Sequence, residues 1–548
     1  DGVRAIEVEY KELPHFVDES DVERAKSLDK QNLDSEGDLT DEAFEQGHPT
    51  RTKDFGEQEK GSVDEALGKA AVVHKGHYGI ATISHMCMEP HGSQEQCEGG
   101  ALALHLSTQN VSGTPGQFAE GLGLDASKVT VTCNYIGGGF GSKFSADEWG
   151  LACAELSRKT GRPVRFMLDR ATELKSAGTR PSGFSDVTIA AEADGNIIAW
   201  DSHHWGTSGM GGGIVSLNQY PYVFEFEHRR RNGTGLVTNC GPNRAWRAPP
   251  HPQLCALSHT AIDDLAAKLD MDSYDVFMKN LAKTRKPDVY AEEMKIGAKL
   301  IDWKAKWHPR GKGGDGSIKQ GLGMALHTWG GAAHAANCVL KIHPDGSVET
   351  FLGSQDLGTG TRTIIAITIA ETLGLPIEAV KVTLGTSRYP QAGGSGGSTT
   401  VGGVAGPNRR AALEALWTIF DKVAAKYNVP ADSLAAKDRK ICSNGEEVCS
   451  WKQAASLVGA MPLEVRGEGP KDDGLTSSGV GGVQMADVSV DSETGVVRIN
   501  KFGCVQDCGL ILDLQMAESQ VYGGMIMGIS YALTEERIMD NKTGRYIN

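Results

Sequence analysis

The sequence predicts an α+β protein built from two similar domains, and three observations support this prediction. The chain has 548 residues, which exceeds the roughly 250–300 residues at which a single hydrophobic core stops growing. Turn pairs such as Asp194-Gly195 stand between alternating apolar runs, as in β-hairpins. Helix-like runs are interspersed with these hairpins, so we expect mixed domains rather than a doubly wound parallel sheet.

Further hairpin turns are predicted along the chain. Asp194-Gly195 joins the two strands of residues 186–200, and the same device recurs at Asp345-Gly346, Asn444-Gly445 and Glu493-Thr494-Gly495. Glycine after Asp or Asn accepts the positive φ that tight hairpin turns require. We therefore expect antiparallel strand pairs in both halves of the chain.

A weak internal repeat indicates two related halves. Leu122-Gly123-Leu124 precedes a strand-like run at residues 128–131, and Leu373-Gly374-Leu375 precedes another at residues 380–383. A glycine-rich loop follows each run. The alternative is a chance resemblance of a short unit. The stretch Lys304–Gly316 lacks hydrophobic periodicity and is predicted to be the linker between the halves.

The beginning of the chain differs in composition from the rest. Residues 3–17 alternate like a strand, although no partner strand precedes them. Residues 18–62 are polar and acidic, with few large apolar groups, and are predicted to be an extended connector. Domains are then predicted at residues 63–310 and 311–548.

Composition excludes several classes of function. The 55 Lys and Arg against 70 Asp and Glu give a net charge of −15, which disfavours binding to a nucleic-acid backbone. No apolar run is long enough to span a membrane, and the first residues lack the pattern of a signal peptide. The 11 Cys form no C-x2-C pair, so this chain is not expected to hold an iron–sulfur cluster.

Four segments rich in Gly, Ser and Thr are candidate binding loops. They are residues 137–143, 353–361, 393–400 and 517–524. The first follows a predicted strand at 129–136 and precedes a predicted helix at 146–159, a common arrangement for binding anions. It matches neither a Walker A loop, because Ser142 precedes Lys143, nor the dinucleotide fingerprint, whose third glycine would come one residue later. Together the loops suit one long, phosphate-bearing cofactor, whereas each loop alone can equally be a turn or linker.

Five segments in order carry a family resemblance. They are GGGFGSK at 137–143, RAPPHPQ at 247–253, QDLGTGT at 355–361, GSGGSTT at 394–400 and ESQVYGG at 518–524. With them the chain, from about Glu65 to Asn548, resembles the large molybdenum-binding subunit of the xanthine dehydrogenase/aldehyde oxidase family. It is most similar to the bacterial three-subunit type that oxidises aldehydes.

The resemblance implies a cofactor and an architecture. Molybdopterin, in bacteria usually the cytosine dinucleotide form, would lie between two elongated mixed α/β domains packed against each other. Its dithiolene would hold the molybdenum, with no direct ligand from the protein. Residues 1–17 would be the end of an N-terminal hammerhead domain. Electrons would pass to [2Fe-2S] clusters and FAD on an iron–sulfur subunit and a FAD subunit, since this chain lacks cysteine-cluster motifs.

The resemblance also assigns site residues. Gly138, Gly139, Phe140 and Gly141 would lie beside the molybdenum, with the Gln355 amide near its oxo or sulfido ligand. Arg247, next to Ala248, would orient the substrate from the other side, so the catalytic residues would be Gln355, Arg247 and Phe140. Phosphate oxygens would be held by Ser395, Ser398 and Thr399, and the pterin by Gln520. The remaining cofactor contacts would be Gly358, Thr359, Gly360 and Gly396, and the substrate pocket would include Phe144 and Trp246.

Departures from the family pattern narrow the reaction. CO-oxidising members have Cys where this chain has Ala248, and purine-oxidising members have Glu where it has Phe144. The resemblance therefore implies hydroxylation of aldehydes, in particular flat aromatic ones, with water as the oxygen source. Pro250 replaces the usual glycine of the second segment. Hydroxylation of an N-heterocycle and a non-catalytic cofactor-binding role are the alternatives.

Two expectations concern what lies outside this pattern. The family's general base is a Glu in a G-E-P-type motif downstream of the position matching Gly524, and Asn548 precedes any such motif. We therefore expect the C-terminal part of the second domain to lie beyond Asn548. Cytoplasmic folding is expected for insertion of the cofactor, with export alongside a partner subunit to the periplasm as the alternative.

Overall fold

Helices and strands are interspersed along the described part of the chain. The computed structural model describes residues 2–211, 217–471 and 479–548. The first half contains α1 (Val22–Asn32), α2 (Asp41–Gln46), β1 (Thr52–Lys60), α3 (Val63–Lys69), β2 (Val72–Ile80), β3 (Ile83–Ser84), β4 (Gly92–Glu98), β5 (Ala101–Leu106), α4 (Thr114–Leu122), β6 (Val129–Thr132), α5 (Asp147–Thr160), β7 (Val164–Met167), α6 (Arg170–Ser176), β8 (Thr179–Arg180), β9 (Gly183–Ala191), β10 (Ile197–Thr207), β11 (His228–Leu236), α7 (His251–Lys268), α8 (Ser273–Asn280), α9 (Pro287–Ile301) and α10 (Trp303–Lys306).

The second half continues the mixture, so the α+β class is confirmed. It contains β12 (Ile318–Trp329), β13 (Ala336–Ile342), β14 (Val348–Leu352), α11 (Thr361–Leu373), β15 (Val380–Leu384), α12 (Thr400–Tyr427), β16 (Leu434–Lys437), β17 (Lys440–Ser443), β18 (Glu446–Ser450), α13 (Trp451–Ala455), β19 (Leu463–Gly469), β20 (Val480–Asp491), β21 (Val497–Asp507), α14 (Leu514–Leu533), β22 (Met539–Asp540) and β23 (Arg545–Tyr546).

The predicted hairpins are confirmed. Asp194-Gly195 joins the antiparallel strands β9 and β10, and the other three turns join β13 to β14, β17 to β18 and β20 to β21. The glycines Gly195, Gly346, Gly445 and Gly495 all have positive φ, between 74° and 91°. The local turn chemistry was therefore a reliable guide to strand pairing.

The internal repeat is confirmed by topology. One four-stranded sheet has the order β6-β5-β4-β7 and another the order β15-β14-β13-β19. In each, a hairpin is followed by a helix, a strand parallel to the second hairpin strand, a second helix, and a last strand antiparallel to the first hairpin strand. The first helix of each copy ends at a left-handed glycine, Gly123 or Gly374.

The two copies meet through the chain that follows β6 and β15. The Cys133 N–H donates to the Gly385 carbonyl at 2.7 Å, and the Ser387 N–H donates to the Val131 carbonyl at 2.9 Å. These main-chain bonds bring the exits of β6 and β15 together. The glycine-rich segments that follow the two strands consequently lie on neighbouring parts of the molecule.

A five-stranded sheet, in the order β1-β11-β10-β9-β2, carries the first half. Its inner face packs on α7 in a core around Trp200, Phe226 and Leu257. That core continues into the second half, where Leu326 of β12 and Met485 of β20 join it. Burial of apolar surface thus crosses the expected boundary between residues 310 and 311, and the division there stays a prediction.

The N-terminal part has neither the strand nor the extended segment that we expected, whereas the assignment of residues 1–17 to the end of a hammerhead domain stays a prediction. Residues 3–17 form no strand: Val3–Ala5 is a 3-10 turn and residues 6–17 have no regular structure. The acidic segment 18–62 is not an extended connector, because it contains α1, α2 and β1, and β1 pairs antiparallel with β11. The apolar residues of this N-terminal part are buried against the five-stranded sheet: Phe16 and Ala25 pack on Trp205 of β10.

Polar groups stabilise this segment as well. The buried Asp29 carboxylate accepts hydrogen bonds from the Arg51 and Thr52 N–H groups at 2.6 and 2.7 Å. Hydrogen bonds to an ionised acceptor contribute more than neutral ones. An acidic composition therefore did not mean a lack of structure, since one carboxylate accepts the hydrogen bonds of the two N–H groups at the turn into β1.

Among the described helices, none is long and apolar enough to cross a bilayer.

Candidate cofactor site

The first glycine segment, residues 137–143, connects β6 to α5 as predicted. Gly138, Phe140 and Gly141 all have positive φ, at 93°, 49° and 112°. A Cβ on Gly141 would lie 2.2 Å from the Ala245 carbonyl oxygen. Only glycine fits at this position, because the loop is pressed against the segment that leads to Arg247.

The cation of this loop is used inside the protein. The buried Lys143 ammonium donates to the Glu89 carbonyl and to the Ser107 hydroxyl, both at 2.7 Å. The Glu89 carboxylate accepts the Gly137 N–H at 2.6 Å, so both ends of the loop are tied to one residue. Burial lowers the pKa of Lys143. Lys143 therefore shapes the loop and is not positioned as a free phosphate-binding cation.

A residue that the sequence analysis missed, Gln109, occupies the centre of the site. Its buried side-chain oxygen accepts the Gly141 N–H at 2.9 Å, and its amide donates to the Ser395 carbonyl at 2.9 Å. The Ser395 N–H donates back to the Gln109 carbonyl at 2.7 Å. Gln109 thereby joins the glycine loop of the first copy to the Gly393–Thr400 segment of the second.

Gln355 has the matching place in the second copy. It is fully buried; its side-chain oxygen accepts the Val111 N–H at 3.0 Å and its amide donates to the Ser395 hydroxyl. Gln109 follows β5 in the run LSTQ, and Gln355 follows β14 in the run LGSQ. Extending the LGL repeat upstream by these residues would have found Gln109.

The N–H groups of the loop after Gln355 form hydrogen bonds with a carboxylate of the same loop. The Asp356 carboxylate accepts hydrogen bonds from the N–H groups of Gly358, Gly360 and Arg362, at 3.0, 3.3 and 3.1 Å. Gly358 and Thr359 are exposed. The beginning of α11 is thus capped by the chain's own carboxylate, and cofactor contacts from Gly358, Thr359 and Gly360 stay a prediction.

The start of α12 is different, because no side chain in the described part of the protein caps it. This helix has 28 residues, its first turn has no acidic residue, and the preceding Thr399 forms no side-chain cap. The Thr399 hydroxyl instead donates to the Gly396 carbonyl at 2.8 Å, and Ser398 is exposed with a φ of 60°. Free N–H groups and the positive end of the helix dipole can bind phosphate here.

Phe144 lies between the two copies. A Cβ on Gly394 or Gly396 would come within 3.1 or 2.6 Å of its ring. Its carbonyl accepts a hydrogen bond from the Asn110 side chain at 3.3 Å. Phe144 therefore packs against the loop that carries Ser395, and its contact with a substrate stays a prediction.

Arg247 and Gln520 are in contact, and their roles toward substrate and pterin stay predictions. The Arg247 N–H donates to the Phe140 carbonyl at 2.8 Å, and its guanidinium donates to the Gln520 carbonyl at 2.6 Å. Ala248 follows with a φ of 64°. Gln520 lies within α14, so the segment 517–524 is helical and its prediction as a glycine loop was wrong.

Trp246 completes this wall of the site. Its buried ring stacks on Phe140 with ring centres 6.4 Å apart, and the Arg180 guanidinium lies 4.3 Å from the ring centre. Among the residues that the structure describes, none is a hydrogen-bond partner of the buried indole N–H. The Ser354 hydroxyl and the His334 Nε2 are likewise buried without partners. A polar ligand could satisfy such groups, although buried groups without partners also occur elsewhere in the described structure, for example at Glu95 and Glu293.

A metal site formed by protein side chains and a catalytic role for Glu468 are two further possibilities. Within residues 2–211, 217–471 and 479–548, no group of three or more His, Cys, Asp or Glu side chains is arranged to hold a metal ion. Glu468, in a GEGP sequence resembling the family's base motif, lies exposed on β19, where its carbonyl accepts hydrogen bonds from Arg410. Its carboxylate lies 3.5 Å from the Lys471 ammonium at the surface, and a catalytic role for Glu468 has no support from these contacts.

The fold and this site define a class of cofactor-binding protein. Two family models, each described as a molybdopterin cofactor-binding domain, match residues 44–281 and 297–548. The chain is 30% identical over 513 residues to the aldehyde oxidoreductase molybdenum-binding subunit PaoC of Escherichia coli (strain K12), covering 90% of this chain and 68% of that one. It is 27% identical over 519 residues to the putative xanthine dehydrogenase molybdenum-binding subunit XdhA of the same organism, covering 88% and 68%.

Solved structures share the fold. Carbon monoxide dehydrogenase from Oligotropha carboxidovorans superposes with a TM-score of 0.81 at 20% identity, covering 100% of this chain and 74% of that one. Quinoline 2-oxidoreductase from Pseudomonas putida 86 gives 0.82 at 20% identity, covering 100% and 73%. The chain belongs to the xanthine dehydrogenase/aldehyde oxidase family of molybdopterin-dependent oxidoreductases, among its molybdenum-binding subunits.

Proposed function

We propose that the protein oxidises aldehydes, aromatic ones in particular, to carboxylic acids. The reaction converts an aldehyde and water to the acid with release of two electrons and two protons. The observation that carries the proposal is the wall formed by Phe140, Trp246 and Arg247, in which the Phe140 and Trp246 rings stack and the Arg247 main-chain N–H donates to the Phe140 carbonyl. A flat ring suits the aromatic faces, and a guanidinium favours the oxygen of the aldehyde and of the acid.

The cofactor would be molybdopterin in its cytosine dinucleotide form. When bound, it supplies the transfer of a water-derived oxygen atom to the substrate carbon and accepts the two electrons. Ser395, Ser398 and Thr399, which precede α12, would hold its phosphates together with the start of this helix, because the helix begins with N–H groups and no carboxylate. Gly138, Gly139 and Gly141 would lie beside the cofactor, and their missing side chains leave room for Phe140, Gln109 and Ala245 of the protein itself.

The protein's own residues set the polarity of the site. Gln109 and Gln355 are neutral amides that add no charge beside a redox centre, and both are held in place by Ser395. Arg247 is anchored at both ends by carbonyl oxygens, those of Phe140 and Gln520. Its guanidinium therefore orients the substrate from a fixed position, which lowers the entropic cost of reaching the reactive geometry.

Partner chains would carry the electrons away. Both relatives described above are named molybdenum-binding subunits, which supports an assembly with an iron–sulfur subunit and a FAD subunit. We place the assembly in the cytoplasm, where cofactor insertion accompanies folding; export with a partner to the periplasm is the alternative. Cell fractionation with antibodies against this chain separates the two.

N-heterocycle hydroxylation is the second candidate function. The chain is 25% identical over 548 residues to the nicotine 6-hydroxylase large subunit of Paenarthrobacter nicotinovorans, covering 88% of this chain and 64% of that one. A panel of aromatic aldehydes against nicotinate, purines and quinolines distinguishes the candidates by kcat/KM. Turnover of the heterocycles alone would replace the aldehyde assignment.

Cofactor analysis tests the proposal at its base. The purified full-length protein, made in a host that synthesises molybdopterin dinucleotides, should contain molybdenum and release CMP on acid hydrolysis. Molybdenum without CMP would exclude the cytosine dinucleotide form of the cofactor and leave the rest of the proposal standing. Absence of both from a folded protein would refute the proposal. Cofactor present without turnover of any substrate in the panel would favour a non-catalytic cofactor-binding role.

A further inference from the structure

Arg180 is a buried arginine beside the proposed substrate wall. It ends β8 with 2% of its surface exposed. Its guanidinium donates to the Arg247 carbonyl at 2.8 Å and lies 3.5 Å from the Gln253 side-chain oxygen. The same group stands 4.3 Å from the centre of the Trp246 ring. One side chain thus touches both residues that follow Ala245.

No carboxylate forms an ion pair with Arg180 among the described residues. Its Nε is buried without a partner, and its second aromatic neighbour is Tyr531, 5.7 Å away. Burial lowers the pKa of Arg180, and Tyr531 and the more distant Glu535 carboxylate oppose that shift. A buried charge without a paired carboxylate is costly, so the rings and the Arg247 carbonyl must recover much of the energy. A leucine or methionine would pack here at lower cost, which means that packing alone does not explain an arginine.

The geometry of the turn explains what the arginine does. The Arg247 carbonyl belongs to the peptide that leads into Ala248, whose φ is 64°. The left-handed region is unfavourable for alanine, so this turn needs external contacts to hold it. Arg180 supplies one such contact at the carbonyl and a second at the preceding ring. Lysine cannot replace it, because a single ammonium lacks the planar fork that bonds and stacks at once.

We propose that Arg180 is a positioning residue: it fixes the plane of Trp246 and the turn at Arg247-Ala248, and through them the substrate. This inference rests on the proposed function. It predicts that Arg180→Lys keeps the fold and the cofactor while kcat/KM for aldehydes falls about 10-fold to 100-fold, since small misplacements of a substrate-facing group have effects of that size. The loss should lie in both kcat and KM, because Trp246 and Arg247 would no longer hold the substrate in the reactive geometry.

Arg51→Lys is the matched control. Arg51 is also buried, donates to the Pro14 and Val237 carbonyls, and lies 6.0 Å from the Phe16 ring. It stands in the N-terminal part, away from the glycine loops. A role confined to stability would lower the melting temperatures of both variants and leave kcat/KM per molybdenum atom unchanged in both. That outcome would overturn the inference.

Trp246 provides a readout that does not depend on activity. The emission of Trp246, obtained as the difference between each protein and its Trp246→Phe version, should change in Arg180→Lys and stay unchanged in Arg51→Lys. In a double-mutant cycle, the effects of Arg180→Lys and Trp246→Phe on kcat/KM should not add, as expected for residues that act as one unit. Additive effects and an unchanged emission difference would contradict the inference.

A second variant covers a failure of Arg180→Lys to fold. Gln253→Glu places a carboxylate near the guanidinium and should draw it away from the ring and the Arg247 carbonyl, with the same loss of kcat/KM in a folded protein. Unchanged kcat/KM would count against the inference. Failure of the proposed function is separable: a protein without molybdenum cofactor would still report the Arg180–Trp246 contact through its emission difference.

Discussion

Gln109 and Gln355 converge on Ser395, the first through the serine carbonyl at 2.9 Å and the second through its hydroxyl. They follow equivalent strands, β5 and β14, of the two repeated sheets. One serine therefore ties both copies together at the site. Loss of either glutamine should be felt by both copies.

Gln109→Leu should destabilise the protein strongly. The change leaves the Gly141 N–H and the Ser395 carbonyl without partners, and each buried unsatisfied group costs about 1–3 kcal/mol. Chemical denaturation should show the loss, and molybdenum content should fall with it. The control is Gln96→Leu on β4, where the side chain is exposed and the change should be nearly neutral. Equal midpoints for the two variants would refute the linking role of Gln109.

Lys143→Met should loosen the first glycine loop. The ammonium bonds to the Glu89 carbonyl and the Ser107 hydroxyl, and removing it leaves two partly buried acceptors without this donor and the Glu89 carboxylate without its cation, at a cost of about 1–3 kcal/mol. Denaturant titration measures the change. Lys128→Met, at an exposed lysine near the same strand, is the control. A phosphate-binding role for Lys143 would instead show as lost cofactor with unchanged stability of the cofactor-free protein.

Gly141→Ala tests close packing of the loop. The added methyl would meet the Ala245 carbonyl oxygen at 2.2 Å, and φ is 112°. Gly123→Ala is the control, since it has a φ of 66° but nothing within 4 Å of the new methyl. Gly123→Ala should cost about 1 kcal/mol from backbone strain alone. Gly141→Ala should cost clearly more and abolish cofactor loading; equal costs would contradict the packing account.

Ser398→Asp tests the phosphate site at α12. Ser398 has a φ of 60°, a conformation that Asp and Asn tolerate. The new carboxylate should stabilise the cofactor-free protein by about 0.5–1 kcal/mol through the helix dipole and oppose a bound phosphate. Nucleotide released per chain should therefore fall. Ser398→Asn, which has the same shape without the charge, should load normally; equal loading of both variants would exclude phosphate binding there.

Glu95 should make stability depend on pH. Burial raises the pKa of its carboxyl from an ordinary value of 4.5 to about 7, and one of its oxygens has no partner. The unfolded chain loses this proton near pH 4.5 while the folded protein keeps it, so stability falls as the pH rises from about 4.5 to 7 and then levels off. The difference between the two pKa values corresponds to a loss of about 3 kcal/mol in the free energy of unfolding.

Glu95→Gln removes that loss. The variant should gain stability over the wild type at pH 8 and gain little at pH 4.5, as measured by denaturation at the two pH values. Glu98→Gln, at an exposed carboxylate on the same strand, should show no such dependence. A constant difference between Glu95→Gln and the wild type across this range would show that Glu95 is ionised in the folded protein.

Features set by local chemistry were predictable. The four hairpins, the helix after Gly137–Lys143 and the strand at Val380–Leu384 all follow from turn residues and short-range periodicity. The prediction of an unpartnered strand at residues 3–17 failed because alternation does not supply a neighbouring strand. The prediction of a connector at 18–62 failed because the few apolar groups in this region, such as Ala25, are buried together with Phe16 against Trp205 of β10.

The amino-acid sequence by itself determined the class of fold, the repeat and the family, since ordered motifs and turn residues are local properties. Only the tertiary structure showed which main-chain N–H groups and which cation of the glycine loops remain available to a ligand. It showed that Asp356 occupies the N–H groups before α11 and that Lys143 bonds within the protein, whereas the start of α12 has no side-chain cap. It also revealed Gln109 and Arg180, because a hydrogen bond or a stacked ring between distant residues is set by how the two copies pack.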